Sequence, residues 1–174
     1  ITEVTLRIRR RPRGRAGVVL SFGGMEEALD YCRRLWASPL PRPSVLRLYG
    51  PVAALLNLGG GGGPLSALRQ RLEPFVLRRH RWLNALGRWA RTWSCVLLYE
   101  DDERALEAAC ALPGAGKGSV QAAAKWWDRR YHLSLEKLQG VFARGCFADT
   151  LDVWARWDQL PALVTGVEAA IAPH

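Results

Sequence analysis

The chain has 174 residues, 49% of them apolar and 24% charged, and a formal net charge of +9. That balance belongs to a folded chain with a core and excludes a disordered tail, a collagen-like repeat or a small disulfide scaffold. The longest apolar runs, such as Val52–Leu56 and Cys95–Tyr99, fall far short of the roughly 20 residues that cross a bilayer.

Thr2, Val4, Leu6 and Ile8 alternate with Glu3, Thr5, Arg7 and Arg9, which predicts a half-buried strand. The basic run Arg9–Arg15, with Pro12 and Gly14, reads as a linker. Gly17–Phe22 reads as a second strand and Gly23-Gly24 as a turn. Ala28, Leu29, Cys32, Leu35 and Trp36 fall at helical spacing and predict a helix over 25–37, stopped by Pro39, Pro41 and Pro43. Ser44–Tyr49 predicts a short strand with Leu46 and Leu48 on one face and Val45, Arg47 and Tyr49 on the other.

Pro51–Leu58 predicts a short helix, and the five glycines Gly59–Gly63 a loop. Residues 64–91 are helical in composition, crowded with Arg, with a break near Glu73-Pro74. The continuous apolar run Ser94–Tyr99 predicts a central strand buried on both faces. Asp101 or Asp102 can cap the next helix, whose stripe is Ala105, Leu106, Ala109 and Leu112. A loop at Pro113–Gly118 precedes a helix over Val120–Tyr131 and another from Ser134 to Ala143. Cys146–Trp154 alternates as a strand. Asp158 is then the expected cap of a helix striped with Leu160, Leu163, Val164, Val167 and Ile171. Strands mixed with helices, without regular βαβ alternation, predict an α+β fold. The expected form is a ferredoxin-like arrangement, an antiparallel or mixed sheet with helices packed on one face.

Residues 1–92 hold 17 basic against 5 acidic side chains, and residues 93–174 hold 8 against 11. A basic half of this kind suits nucleic acid, since basic groups displace counterions from phosphates. It equally suits a small anionic partner. Trp82, Trp89 and Trp93 lie among Arg78, Arg79, Arg81, Arg88 and Arg91, a pattern that either stacks on bases or forms one amphipathic helix with Trp in the core. Cys32, Cys95, Cys110 and Cys146 each sit in apolar surroundings, away from any His at metal-ligand spacing. They read as buried free thiols suited to a reducing cytosol, with no metal site. Gly114-Ala115-Gly116-Lys117-Gly118-Ser119 lacks the upstream Gly and the hydroxyl after Lys that a phosphate loop requires. His80, His132 and His174 are scattered, with no acidic or Cys partner at ligand spacing, and nothing resembles the nucleophile elbow of a Ser-His-Asp site, an arrangement the sequence leaves open.

Three segments resemble, in order, the cap region of FAD-linked oxidases of the vanillyl-alcohol-oxidase superfamily, and most closely its alkyldihydroxyacetonephosphate synthase branch. The first is Ile1-Thr2-Glu3-Val4-Thr5-Leu6-Arg7-Ile8, similar to the stretch that closes the family's flavin-binding domain. The second is Pro43-Ser44-Val45-Leu46-Arg47-Leu48-Tyr49, similar to a strand whose Arg points toward flavin and substrate. The third runs from Trp126-Trp127-Asp128-Arg129-Arg130-Tyr131 to Asp149-Thr150-Leu151-Asp152, Trp157 and Leu160. It is similar to the family's Trp-x-x-x-Arg-Phe block, its Asp-Thr-x-Glu strand and the following helix. Two positions depart from the synthase branch. Gly50 stands where that branch has Asp. Its substrate-binding Arg aligns with Lys137 counting from Arg130, or with Leu138 counting back from Asp149.

The resemblance implies that residues 1–12 close an upstream FAD-binding domain and that 13–174 form an incomplete cap, as an excerpt of a longer protein beginning at Ile1 would. It implies Arg47 as the catalytic side chain at the flavin–substrate junction, Ile1 and Thr2 near the FAD, and Lys137 toward an anionic substrate group. The implied partners are a small anionic substrate and the chain's own FAD-binding domain, with a homodimer compatible. The implied chemistry is capture of a glycerone-phosphate intermediate in the synthase branch, or oxidation of a 2-hydroxy acid in the D-lactate and glycolate dehydrogenase branch. The alternatives are a basic ferredoxin-like module that binds nucleic acid and a degenerate cap retained for assembly.

Overall fold

The computed structural model describes residues 5, 8, 10–51, 53, 54, 92–130, 142, 143 and 153–171. The expected strand at 2–8, glycine loop at 59–63, arginine-rich helix at 64–91, helix at 134–143 and strand at 146–154 lie wholly or mostly outside these residues.

The apolar run after Thr92 forms a strand over Trp93–Glu100, buried without interruption from Ser94 to Tyr99. Burial on both faces requires a central position, and the sheet provides one. Counting strands in chain order, β1 is Arg15–Phe22, β2 is Val45–Tyr49, β3 is Trp93–Glu100 and β4 is Lys117–Ser119. Their spatial order is β2-β3-β1-β4, and every neighbouring pair is antiparallel. The β1–β3 register sets Arg15 opposite Glu100 and Phe22 opposite Trp93. Among the described residues, the helices are α1 (Met25–Ala37), α2 (Glu103–Cys110), α3 (Val120–Arg129) and α4 (Leu160–Ile171). α1 joins β1 to β2 across the position of β3, and α2 joins β3 to β4 across β1. Two interleaved split βαβ units of this kind make a ferredoxin-like α+β fold, as the alternation and helix order predicted.

The pleat sorts the core into two layers. Val18, Leu20, Phe22, Cys95, Leu97 and Tyr99 meet Ala28, Tyr31, Cys32 and Leu35 of α1 and Ala105, Leu106 and Ala109 of α2. On the opposite face Val19, Tyr49, Val96 and Leu98 meet Ala123 and Trp126 of α3. Thus α1 and α2 share one face, and α3 adds a cover on the other. Within α1, Tyr31 is fully buried, whereas Trp36 is 44% exposed and lies under the Arg42 guanidinium at 4.4 Å. The helical spacing had assigned Trp36 to the buried stripe. The Arg42 stack holds it at the rim.

Local chemistry explains the helix ends. The Glu27 carboxylate accepts the Gly23 amide at 2.9 Å just ahead of α1, and two glutamates in the first turn suit the positive end of the helix dipole. At the other end the Ser38 hydroxyl donates to the Leu35 carbonyl at 2.7 Å. Asp102 caps α2 by accepting from the Ala105 amide at 2.9 Å, and Ser119 caps α3 through Ala122 at 3.3 Å. Asp158 does not act as the expected cap. It lies in the turn before α4, where its carboxylate accepts from Arg156 Nε at 3.2 Å.

The segment expected as a loop over Pro113–Gly118 instead contributes to β4, which pairs Ser119, Gly118 and Lys117 with Val19, Leu20 and Ser21. The glycines are what permit the pairing. A Cβ at Gly116 would stand 2.0 Å from the Ser21 carbonyl oxygen. Glycine in or beside a strand marks such a close backbone approach.

Candidate functional site

Arg47 occupies the middle of β2, opposite Val96. Strand alternation sends Leu46 and Leu48 toward the layer under α1 and α2, and Val45 and Tyr49 toward the layer under α3. Arg47 shares the second face, as the pleat of the sequence predicted, and is exposed. Its Cζ stands 5.5 Å from the centre of the Tyr49 ring. Tyr49 is itself 9% exposed and Trp126 6%. The Trp126 indole Nε1 donates to the Tyr49 hydroxyl oxygen at 2.7 Å. The fold therefore sets an exposed guanidinium on a phenol ring that a buried indole fixes from α3. This array joins the second and third of the segments quoted above, 77 positions apart. The pairing of Tyr49 with Trp126 was not legible in the sequence. The only signal was a Tyr and a Trp in amphipathic elements, each with a polar tip that burial must satisfy.

The array can bind an oxyanion. A guanidinium presents five donors in a planar fork, matched to phosphate or carboxylate oxygens. Stacking on an aromatic face leaves the in-plane N–H groups free to donate.

A groove of about 580 Å³ lies where β1, α2 and α3 converge. Its lining includes Arg15, Trp127, Asp101, Asp102, Glu103 and Asp128, but not Arg47. The Asp101 carboxylate is engaged by the amides of Arg13 at 2.6 Å and Gly14 at 2.8 Å, and Asp102 is engaged as the α2 cap. Arg15 is bonded to Glu100 at 3.2 Å and stacks 4.4 Å from the Trp127 ring. Arg130 approaches the same ring at 3.2 Å and donates to the Trp127 carbonyl. Four carboxylates against one lining guanidinium make this groove a poor host for phosphate.

The remaining ionisable cluster is structural. Cys32 and Cys95 lie in the same core cluster, and the interaction between their thiols shifts both. It raises Cys95, with burial adding to the rise, and lowers Cys32. Burial, and then the neighbouring thiols and Tyr99, push the Tyr31 phenol well above its ordinary range. Its hydroxyl donates to the Ala109 carbonyl at 3.1 Å. Burial also raises Tyr99, with Asp102 and Cys110 adding and Arg42 opposing. Cys110 is exposed, unlike Cys32 and Cys95. The expectation that each thiol is buried is therefore corrected at Cys110, which ends α2 on the solvent side, and Cys146 lies outside the described residues.

Of the site residues expected from sequence, the structure places Arg47; Ile1, Thr2 and Lys137 lie outside the described residues, as do His80, His132 and His174. Among the described residues no group of three or more His, Cys, Asp or Glu is placed to hold a metal ion, and no helix is long and apolar enough to cross a membrane. The chain matches no protein-family model, no curated protein and no solved structure.

Proposed function

We propose that this chain is the substrate-binding cap of an FAD-dependent enzyme resembling alkyldihydroxyacetonephosphate synthase, and that Arg47 engages an anionic substrate at the flavin. The observation that carries this reading is the exposed Arg47 guanidinium on the Tyr49 ring. It lies in a segment where the resemblance calls for an Arg facing flavin and substrate. The FAD would supply the redox chemistry, and the protein would supply positioning and charge. The pyrophosphate of FAD does not suit the acid-lined groove; the resemblance assigns its cradle to an upstream domain. Arg47 would approach from the cap, where a fixed cation stabilises a phosphate, a carboxylate or the anionic reduced flavin. A cap of a 2-hydroxy acid dehydrogenase uses the same arrangement on a carboxylate.

The reading of a nucleic-acid module is weaker for a specific reason. Ferredoxin-like modules that read single-stranded RNA stack bases on an open sheet face. Here Val19, Val96 and Leu98 of the face opposite α1 and α2 are buried together with Ala123 and Trp126 of α3.

The deciding experiment is the visible absorption spectrum of the protein expressed from its complete reading frame. Flavin bands near-stoichiometric with protein are expected. A colourless, folded protein that FAD does not reconstitute overturns the proposal. Steep, salt-dependent oligonucleotide binding by that protein would then favour the nucleic-acid reading.

A further inference from the structure

We infer that Tyr49 and Trp126 are positioning residues for Arg47, preparing its guanidinium for an oxyanion of the phosphate or carboxylate class. This rests on the reading of Arg47 given above. A long Arg side chain on an exposed strand loses much rotamer freedom when it is held still. A site that holds it in advance binds more tightly, because that cost is met before the ligand arrives. The structure contains the parts for such a device. The Tyr49 ring lies under the guanidinium, with Cζ 5.5 Å from its centre. The ring is held at its far end by the 2.7 Å bond from Trp126 Nε1. Both aromatic side chains are buried, so neither ring has much room to move. Their elements belong to one packed layer, in which Val45, Ala53, Ala122 and Trp127 surround the pair. Among the described residues no carboxylate pairs with Arg47. Acids elsewhere on the surface do take arginines, as Glu100 takes Arg15 and Asp30 takes Arg33.

The test titrates inorganic phosphate into the full chain, following the phosphorus line width of the phosphate for every variant and, where Arg47 is kept, its side-chain resonances by NMR. Their assignment comes from R47K. Wild type is expected to bind saturably and R47A not to. Tyr49→Leu removes the ring and is expected to weaken phosphate by about threefold to fivefold, the size of an exposed cation–π contact. Tyr49→Phe keeps the ring but loses the bond from Trp126, and is expected to fall between wild type and Tyr49→Leu. In ligand-free Tyr49→Leu the Arg47 methylene resonances are expected to move toward their random-coil positions while the dispersion of the amide spectrum is kept, which a merely structural role would not produce. Phosphate binding by Tyr49→Leu equal to wild type, or weakened binding with unmoved Arg47 resonances, overturns the positioning role and leaves Arg47 standing. Saturable binding by R47A like that of wild type, or none by wild type, overturns the reading of Arg47 itself. If Tyr49→Leu does not fold, Trp126→Phe decides. Removing the indole donor is expected to shift the ring-current-displaced Arg47 methylene resonances toward their random-coil positions, and unchanged resonances overturn the proposal.

Discussion

Asp101 and Gly14 hold each other from both sides. The Asp101 carboxylate accepts the Gly14 amide at 2.8 Å, and the Asp101 amide donates to the Gly14 carbonyl at 3.0 Å. The same oxygen accepts the Arg13 amide. Asp101 achieves this at φ 57, the left-handed region that Asp and Asn tolerate better than most residues. The clasp ends the β1–β3 ladder and sets the direction from which the arginine-rich segment before residue 14 enters the sheet.

Substitution at Asp101 separates the two contributions. Asp101→Ala loses the acceptor and keeps the strained backbone, for an expected loss of about 2 kcal/mol. Asp101→Gly loses the acceptor and relieves the strain, for about 1 kcal/mol. Asp101→Asn keeps an acceptor and the backbone preference and should lie closest to wild type. Urea unfolding of the three variants checks the order, and hydrogen exchange at the Gly14 amide should quicken in Ala and Gly but not in Asn. Equal stabilities for Ala and Asn would show that the clasp contributes nothing.

Gly116 tests the pairing of β4. Its missing side chain admits the Ser21 carbonyl, which would stand 2.0 Å from a Cβ. The obstacle is backbone in the sheet interior and cannot swing aside. Gly116→Ala should therefore cost about 2 kcal/mol or more, lowering Tm by roughly 4–8 °C at this chain length. Gly14→Ala is the control, since a Cβ there meets nothing within 4 Å. A Gly116→Ala variant as stable as the Gly14→Ala variant would mean that β4 does not approach β1 as described.

The phenols and thiols whose proton affinity the fold raises set an alkaline limit. Tyr31, Tyr99, Cys95 and Cys110 all have their proton affinities raised in the fold, chiefly by burial, except that for Cys95 the interaction with Cys32 comes first. The unfolded chain sheds these protons at ordinary values, about pH 9 for thiols and about 10 for phenols. The stabilisation is fully present below that range and is lost as pH rises through it, because the unfolded state then binds fewer protons than the native one. The part of the stability that these groups supply, measured by urea unfolding, should be constant from neutral pH to about pH 9 and fall above it, with Cys32, whose affinity is lowered, partly opposing the fall. Tyr31→Phe should cost about 1 kcal/mol at neutral pH through the lost bond to Ala109. It should also decline less steeply above about pH 10. A slope identical to wild type there would remove Tyr31 from the set.

What the sequence made legible follows from period and punctuation. The alternation around Arg47 placed it on the correct face because β2 obeys a strict period of two. The run Ser94–Tyr99 announced a central strand because only burial on both faces tolerates it. The cap of α2 stayed ambiguous between Asp101 and Asp102. Both are good cap residues, and only the left-handed turn at Asp101 passes the role to its neighbour. β4 was hidden because Gly116 and Gly118, read locally, signal a turn, while their purpose is a contact with β1 nearly 100 residues earlier. The side of the sheet that α3 covers was equally hidden. The stripe of Ala123 and Trp126 shows that the helix buries a face, not which layer receives it.

Gly50 offers a last test, one that joins stability to the resemblance. Its carbonyl accepts the Ala54 amide at 2.8 Å, and Pro51, Ala53 and Ala54 are helical. Gly50 is thus the residue that starts a helical turn, with Pro in the first position, where its fixed φ is favourable. Asp is a better residue than Gly at that place, by a few tenths of a kcal/mol to about 1. There is room for it, since a Cβ would meet the Trp93 ring at 3.6 Å, an ordinary contact. The synthase branch carries Asp at the matching position. Gly50→Asp should therefore fold and raise Tm by about 1–3 °C, as thermal unfolding would record. In the full-length protein it should leave the flavin spectrum in place, so that any change in turnover reports on the substrate side of the site. A Gly50→Asp variant that unfolds more easily than wild type would mean that this turn is built differently from the family's, and would count against carrying Arg47's role across.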